Sequence, residues 1–431
     1  MRWIPDRLSR VMPPPGPARI LILGSLLDAA GTGLWMPVSI LYFTKVAHLP
    51  VAHVALGMST AGIVGLFGSA MTGPLIRRWG PRRLLMVFSL AQVILTACYS
   101  FVDGLAIYLP IVVLAVLAGR SGRVCRNVLI GELSEPDQRV RVRAFTRSVG
   151  NAGLSAGVAV AGMLMQVSAI SPYAVLLWGN ALSFLGLTIA ATKLPKDPRR
   201  DGFEPAGTGD RGKRSGVFAD RPFLVITMLV TVLGTQSAIL NIGLPLWLTE
   251  QTGAPKSLLA GLMLLNTVMC VLLQVRASSG TDSLTGGVRA LRRGGLMLGL
   301  ACLVYLAAGL KEPVLASVLL IVAVVSHTFG ELWQAAGSWG ISYALSPPDR
   351  LADYQAFFSL VNIGPDVLGP LVVSALISDW GKPGWGVLAV VFCLVAVVCQ
   401  AVARWAARTR GVSAHPDVPD GLGGQRSSAS A

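Results

Sequence analysis

Three carboxylates stand where carboxylates are costly. Asp28, Glu331 and Asp366 each fall inside a long apolar run, and an ionised side chain at the centre of a membrane-spanning helix costs roughly 2.5–3.5 kcal/mol even on the milder insertion scale. An acid kept in such a place faces a cavity or a partner, and one shielded from water can exchange a proton near neutrality. His327 precedes Glu331 by four residues, on the same helical face. These four are the candidate proton-coupling groups. Three of them also have a plainer reading: Glu331 as the fixed partner of an arginine or of His327, His327 as a satisfied interior histidine, and Asp366 as a hinge partner. The last sits within Gly364-Pro365-Asp366-Val367-Leu368-Gly369-Pro370, where two prolines free backbone carbonyls. The His-x-x-x-Glu order is not the zinc-binding His-Glu-x-x-His order and no third ligand accompanies it, so no metal is expected.

A second group could line a polar cavity. Arg120, Arg123 and Arg126 recur every third residue, hence on one face of a helix. Burying them without acids is prohibitive, so Asp28, Glu331 and Asp366 are candidate counterions; Arg123 and Arg126 could instead snorkel to the surface. Among neutral polar residues, Gln236, Asn241, Asn266, Gln334 and Asn362 are candidate cavity residues, with Trp35, Trp333 and Trp339 as an aromatic wall. For each one alone, ordinary interhelical hydrogen bonding or packing is the reading ahead of substrate contact. Trp79, Trp178, Trp247, Trp380, Trp385 and Trp405 lie near run ends, where anchoring at the membrane interface suffices. Cys98, Cys125, Cys270, Cys302, Cys393 and Cys399 fall in or beside apolar runs without Cys-x-x-Cys spacing and read as small buried hydrophobes.

The elements that must position these groups follow from composition. Of 431 residues, 53% are apolar and 13% charged, about half the charge a soluble domain carries. Such a chain cannot cover a water-facing surface but can fill a bilayer. Twelve apolar runs are legible: 19–45, 54–76, 84–102, 107–131, 148–168, 174–192, 222–248, 257–276, 294–310, 313–345, 353–378 and 385–405. The first follows Arg2, Arg7, Arg10 and Arg19 but is too long for a cleaved signal and reads as an uncleaved span. With the N-terminus inside, the outer segments hold only Lys45, Lys256, Lys311 and Lys382 out of 36 lysines and arginines. That asymmetry puts both termini in the cytoplasm and assigns the net charge of +15 to the cytoplasmic face rather than to nucleic acid.

Residues 1–18 then form a cytoplasmic tail, 19–192 a first six-helix bundle, 193–221 a Pro- and Gly-rich cytoplasmic linker, 222–405 a second six-helix bundle and 406–431 a disordered tail. A repeat supports the division: Leu41-Tyr42-Phe43-Thr44 with Pro50 recurs as Leu246-Trp247-Leu248-Thr249 with Pro255, and Ala55/Ala260 and Met58/Met263 keep the same offset. The fold class is an all-α membrane protein of 12 transmembrane helices in two bundles, the layout of an alternating-access carrier with its substrate path between the halves.

Between the second and third runs lies Gly73-Pro74-Leu75-Ile76-Arg77-Arg78-Trp79-Gly80-Pro81-Arg82-Arg83. It resembles the signature loop of the major facilitator superfamily, with Gly73, Leu75, Arg78, Gly80, Arg82 and Arg83 matching and Arg77 standing at the acidic position. The resemblance implies a cytoplasmic gating loop built on Gly73, Arg78, Gly80, Arg82 and Arg83, without the usual ion pair. The corresponding loop from Gly280 to Gly295 keeps basic residues and matches poorly. In the fifth run, Gly153-Leu154-Ser155-Ala156-Gly157 resembles the glycine-rich helix of drug–proton antiporters of that superfamily, with Val158 in place of the proline; close helix packing explains it as well. On the fourth run Arg123 fits the family's arginine position, with Arg126 and Asn127 at its glutamine and glycine.

The resemblance implies a secondary active transporter of the cell membrane, exporting an amphipathic or hydrophobic small molecule against protons. Proton-coupled uptake of an anionic metabolite is the alternative, suited to the arginine-rich fourth helix, and a non-transporting sensor is a third reading. No nucleophile–base pair or phosphate loop supports an enzyme. The expected partners are a small-molecule substrate, protons and the lipid bilayer, with no cofactor and no nucleic acid, and the chain is expected to act as a monomer.

Overall fold

A computed structural model describes residues 16–166, 172–195, 217–310, 312–362 and 364–409. The first 15 residues of the N-terminal tail, 196–216 of the linker, 410–431 of the C-terminal tail and the side chain of Asp366 lie outside the described residues.

Every regular element among the described residues is helical. The N-terminal bundle comprises α1 (Pro17–Trp35), α2 (Ser39–Lys45), α3 (Val51–Trp79), α4 (Pro81–Cys98), α5 (Leu105–Leu133), α6 (Arg139–Leu164) and α7 (Pro172–Thr192). The C-terminal bundle comprises α8 (Arg221–Gly234), α9 (Gln236–Ala238), α10 (Leu244–Gln251), α11 (Leu258–Ala277), α12 (Leu284–Ala307), α13 (Pro313–Ala344), α14 (Leu351–Val361), α15 (Gly364–Ser374) and α16 (Lys382–Thr409). The largest apolar cluster draws only on Val217 to Ala406, and two others draw only on the N-terminal bundle. A fourth cluster joins the bundles, placing Tyr343, Leu351, Ala352 and Ala356 among N-terminal residues.

Small residues set the closest helix crossings. α1 packs on α6 and α7, and at its crossing with α6 a Cβ on Gly157 would collide with the Ala30 carbonyl oxygen and with Gly33. The stretch Gly153 to Gly157 thus packs helix against helix, the backbone contact that small residues four apart permit. In the C-terminal bundle α12 packs along α13 and α16; Cβ atoms on Gly294 and Gly330 would meet backbone or side chain of the facing helix within 3.0 Å.

The helices depart from the apolar runs in instructive places. Nine helices among the described residues are long and apolar enough to cross a membrane, with Val51–Gly65 as a shorter apolar stretch. α6 begins at Arg139 rather than at 148, and α12 at Leu284 rather than at 294, because arginines in their first turns lie in helix and not in loop. The first run breaks between Trp35 and Ser39 beside Pro37, and the eleventh is divided between α14 and α15. π-helical turns at Ile239–Gly243 and Ala375–Asp379 interrupt the seventh and eleventh runs. Trp247 and Trp385 are not interfacial anchors: both are fully buried, 5.6 Å apart, and Trp247 Nε1 donates to the Tyr305 carbonyl at 2.8 Å.

Replacing Gly157 with Val is expected to cost about 1–3 kcal/mol through overpacking, measured as a lowered midpoint of thermal unfolding in detergent. Gly162→Val, whose new Cβ would meet no atom within 4 Å, should stay within about 0.5 kcal/mol of the parent.

Candidate functional site

Between the bundles lies a cavity of about 400 Å³, within the size range of small-ligand sites. α1, α5 and α6 line it from one side and α8, α9, α13, α14 and α15 from the other. Its chemistry is dominated by guanidinium groups: Arg123 and Arg126 from α5, Arg143 and Arg147 from α6. Positions 139, 143 and 147 recur every fourth residue, so one face of α6 presents a row of arginines.

Among the described residues, carboxylates hold Arg126 and Arg147. Arg126 Nη1 lies 2.7 Å from Asp28 Oδ2 and donates to Ser25 Oγ at 3.3 Å, an arrangement contained in the N-terminal bundle. Arg147 Nη2 donates to Glu331 Oε1 at 2.5 Å, from α6 to α13 and hence across the bundles. The second Glu331 oxygen accepts from Asn266 Nδ2 at 3.1 Å and from Cys270 Sγ at 3.7 Å. Arg143 differs. Its partners are neutral: it donates to Asn127 Oδ1, and its Cζ sits 3.7 Å from the ring centroid of Trp339. No carboxylate pairs with it among the described residues. Asn127 in turn donates through Nδ2 to Ser359 Oγ at 3.2 Å and accepts from the Tyr343 hydroxyl at its carbonyl, 2.9 Å. One asparagine, through its side-chain amide and its backbone carbonyl, therefore ties an N-terminal arginine to two residues of the C-terminal bundle.

The candidate residues sort clearly by place. Asp28, Arg123, Gln236, Gln334 and Asn362 line the cavity. Glu331 and Asn266 stand just behind Arg147, whereas Arg120, Asn241, Trp35 and Trp333 lie outside the lining. Asn241 is exposed and donates to the Ser237 carbonyl one turn back; Trp35 packs among Tyr42, Phe43 and Tyr99; Trp333 sits against Phe329. His327 is sealed from solvent and donates from Nε2 to Gln236 Oε1 at 2.7 Å, with no bond to Glu331. Asp366 belongs to α15, and its side chain lies outside the described residues. Of the expected aromatic wall, Trp339 lines the cavity, whereas Arg143, Arg147 and Asn127, also in the lining, are not among the cavity residues that the sequence suggests. The i, i+4 arginine row just after Pro136-Asp137-Gln138, a helix-start signal, is the feature that could have found Arg143 and Arg147.

The bundles also meet at the end that carries the α3–α4 turn. Gly80 has φ +79° there, a conformation that glycine adopts freely. Gly73 allows α14 to approach α3: a Cβ at this position would lie 3.0 Å from Asp353 Oδ1 and 3.3 Å from the Ala356 Cβ. Arg77 pairs with Asp353, which Arg350 also approaches at 3.7 Å. The ion pair that the loop's reversed charge seemed to forbid is thus formed with the charges exchanged. Arg82 instead donates to the carbonyls of Ala191 and Thr192 at the end of α7, while Arg78 and Arg83 are exposed. A second junction lies between α11 and α12, where Asp282 Oδ1 accepts from the Val140 amide at 3.1 Å. Burial pushes the Asp282 carboxyl above the ordinary carboxylate range, and the Val140 amide partly opposes that.

Two outcomes follow from these junctions. Arg77→Asp is expected to raise maleimide labelling of a cysteine placed at buried Ala356 several-fold, and Asp353→Arg in the same chain to restore protection. Because the raised pKa of Asp282 belongs to the closed contact, protonation favours that contact below the ordinary range and its contribution is lost as pH rises through the raised value. Labelling of a cysteine at Val142 should rise accordingly, and Asp282→Asn should flatten the dependence.

The arrangement can hold an anion between two bundles that touch through polar contacts and one shared apolar cluster. Comparison of the whole chain agrees with a carrier architecture. A bacterial homologue of the iron transporter ferroportin, crystallised in its outward-facing state, aligns over 91% of this chain and 99% of its own with a TM-score of 0.70 and 13% identity. The transporter FucP in its outward conformation gives 0.65 at 14% identity, covering 90% of this chain and 98% of its own. The human organic anion transporter MFSD10 gives 0.63 at 12% identity, covering 92% and 100%. At these identities the likeness is one of fold. No curated protein matches the chain. The sequence model of the Major Facilitator Superfamily matches residues 20–362, and the chain belongs to that family of multi-pass membrane transporters.

Proposed function

We propose that this chain is a secondary transporter that carries a small organic anion through the cavity between its bundles by alternating access. One observation carries the reading: Arg143 stands on the cavity, and among the described residues its partners are an amide and an indole, with no carboxylate. A cation there without its own carboxylate is held by hydrogen bonding and the ring face, worth up to about 2 kcal/mol when desolvated, and has charge to offer. Arg123, Arg126 and Arg147 add to the positive field, and Trp339 and Phe358 give the apolar part of such an anion a surface to lie against.

Twelve spans with both termini in the cytoplasm complete the proposal, the basic asymmetry of the sequence setting the orientation. The Arg77–Asp353 and Asp282–Val140 junctions then close the cytoplasmic end, and the carrier stands outward-facing. The alternative of exporting a hydrophobic molecule calls for an apolar cavity, and the arginine lining disfavours it. A human neighbour named for organic anion transport shares the fold, in keeping with the proposal.

Proteoliposomes with an imposed pH gradient test it. Labelled benzoate, succinate and glycerol 3-phosphate are expected to cross, and Arg143→Ala is expected to lower the flux at least about tenfold, as loss of a charged hydrogen bond of 1.5–3 kcal/mol requires. Movement of tetraphenylphosphonium in place of any anion would overturn the reading and favour export. The absence of flux for every solute would favour a sensor.

A further inference from the structure

Among the described residues, neither α12 nor α16 contributes to the cavity lining. Both are long and apolar enough to cross a membrane, and they pack against each other. Gly295 of α12 meets Ala396 of α16, and Gly299 meets Cys393, so the two helices run antiparallel. Beside that seam each keeps one exposed face. On α12 it runs Arg289, Arg292, Arg293, Leu296, Leu300 and Leu303, at the three- and four-residue spacing of a single helical stripe. On α16 it runs Val390, Leu394, Val397, Arg404, Trp405 and Arg408. The basic end of one stripe therefore lies beside the basic end of the other.

The charge at that end is one-sided. Neither helix holds an acidic residue, and no carboxylate pairs with these arginines among the described residues. The equivalent pair of the N-terminal bundle, α4 and α7, is finished differently. There Arg82 donates to the carbonyls of Ala191 and Thr192, where α7 ends. α16 instead runs on to Thr409 with Arg404 and Arg408 on its exposed side. The arginines of α12 thus stand beside further arginines rather than beside helix-end carbonyls.

Depth decides what such a face can bind. From Gly294 to the end of α12 is about 21 Å at 1.5 Å per residue, whereas the hydrocarbon core of a bilayer is about 30 Å thick. Arg292 and Arg293 stand at the edge of the hydrocarbon or within it. A guanidinium there reaches toward the headgroups or draws a headgroup to itself. The lipid group that suits it is a phosphate, which accepts two parallel N–H···O bonds from one arginine.

We propose that the basic end of the α12–α16 face is a binding site for an anionic phospholipid of the leaflet next to the Asp282–Val140 junction. Arg292 and Arg293 take its phosphate, while Arg289, Arg404 and Arg408 face the rest of the charged headgroup. Trp405 lies beside them, the ordinary place of an indole at a membrane interface. The acyl chains lie along Leu296, Leu300 and Leu303 and along Val390, Leu394 and Val397. An acidic peptide would satisfy the arginines and leave both apolar stripes uncovered; a lipid covers them as well. The site is separate from the cavity, so this inference stands or falls independently of the anion reading.

Native mass spectrometry of the purified full chain in detergent reads the occupancy, with palmitoyl-oleoyl phosphatidylglycerol and phosphatidylcholine added in equal amounts. Phosphatidylglycerol adducts are expected to exceed phosphatidylcholine adducts at least about fivefold. Arg292→Gln with Arg293→Gln should bring the two lipids to parity, and Arg404→Gln with Arg408→Gln should lower the ratio at least about twofold. Arg83→Gln with Lys193→Gln removes the same charge from the N-terminal bundle and should leave the ratio unchanged. Unfolding midpoints in detergent check that each variant is folded. Equal binding of the two lipids by the parent, an unchanged ratio in the α12 double variant, or an equal loss in the N-terminal control overturns the inference. So does a preference that emerges only after Asp417→Asn and Asp420→Asn, because the chain's own C-terminal segment would then be the occupant.

Discussion

A guanidinium cannot be discharged at any pH a cell reaches and cannot be left alone in a medium of low dielectric constant. Among the described residues four of them stand around the cavity, and the structure between the bundles is arranged by how three of these are accommodated. Arg126 is settled within its own bundle by Asp28. Arg147 is settled across the bundles by Glu331. Arg143 finds no carboxylate among the described residues and rests on Trp339 and Asn127 instead. Breaking a buried ion pair by removing one partner typically costs 3–5 kcal/mol, so these pairings are comparable in weight to the apolar packing around them. The centre of the interface is polar because it must be, and a polar interface is one that can be parted and remade.

That constraint also explains what could be seen in the sequence. Asp28 and Glu331 announce themselves because an acid inside a run of Leu, Val and Ala contradicts its surroundings, and both are found holding arginines. The apolar runs mark most helices for the same reason of contrast, and the tenth, 313–345, coincides with α13 almost to the residue. The signal fails where a helix is itself charged. Residues 139–147 read as loop because loops carry charge, yet they are the first turns of α6, and two of their arginines, Arg143 and Arg147, line the cavity. Hydropathy cannot separate a solvated arginine from one facing a polar cleft between helices. Trp247 and Trp385 fail in the opposite sense: their place near run ends suggested the membrane interface, and contacts with Tyr305 bury them completely. Pairings such as Arg147 with Glu331 or Asn127 with Ser359 join residues far apart in the chain, and no local pattern encodes them.

The internal repeat accounts for the reversed charge of the signature loop. Arg77 and Asp282 are separated by the same offset that relates Leu41-Tyr42-Phe43-Thr44 to its copy, so they occupy equivalent places in the two bundles, Arg77 in the last turn of α3 and Asp282 just after α11. The helices they meet are equivalent as well: short 3₁₀ turns at Pro136–Gln138 and Pro348–Arg350 introduce α6 and α14. At one junction Asp282 reaches across to the Val140 amide in the first turn of α6; at the other, Arg77 reaches across to Asp353 in the first turn of α14. A helix N-terminus favours a nearby anion, by about 0.3–1 kcal/mol when exposed. At the second junction Asp353 is that anion, supplied by the helix itself; at the first, Asp282 of the opposing segment gives the Val140 amide an acceptor oxygen. Arg77 therefore does not remove the electrostatic logic of the contact but moves the carboxylate to the other partner. An acid at position 77 would face Asp353 as a like charge, which is why the two positions have to be read together rather than as one loop's departure from its family.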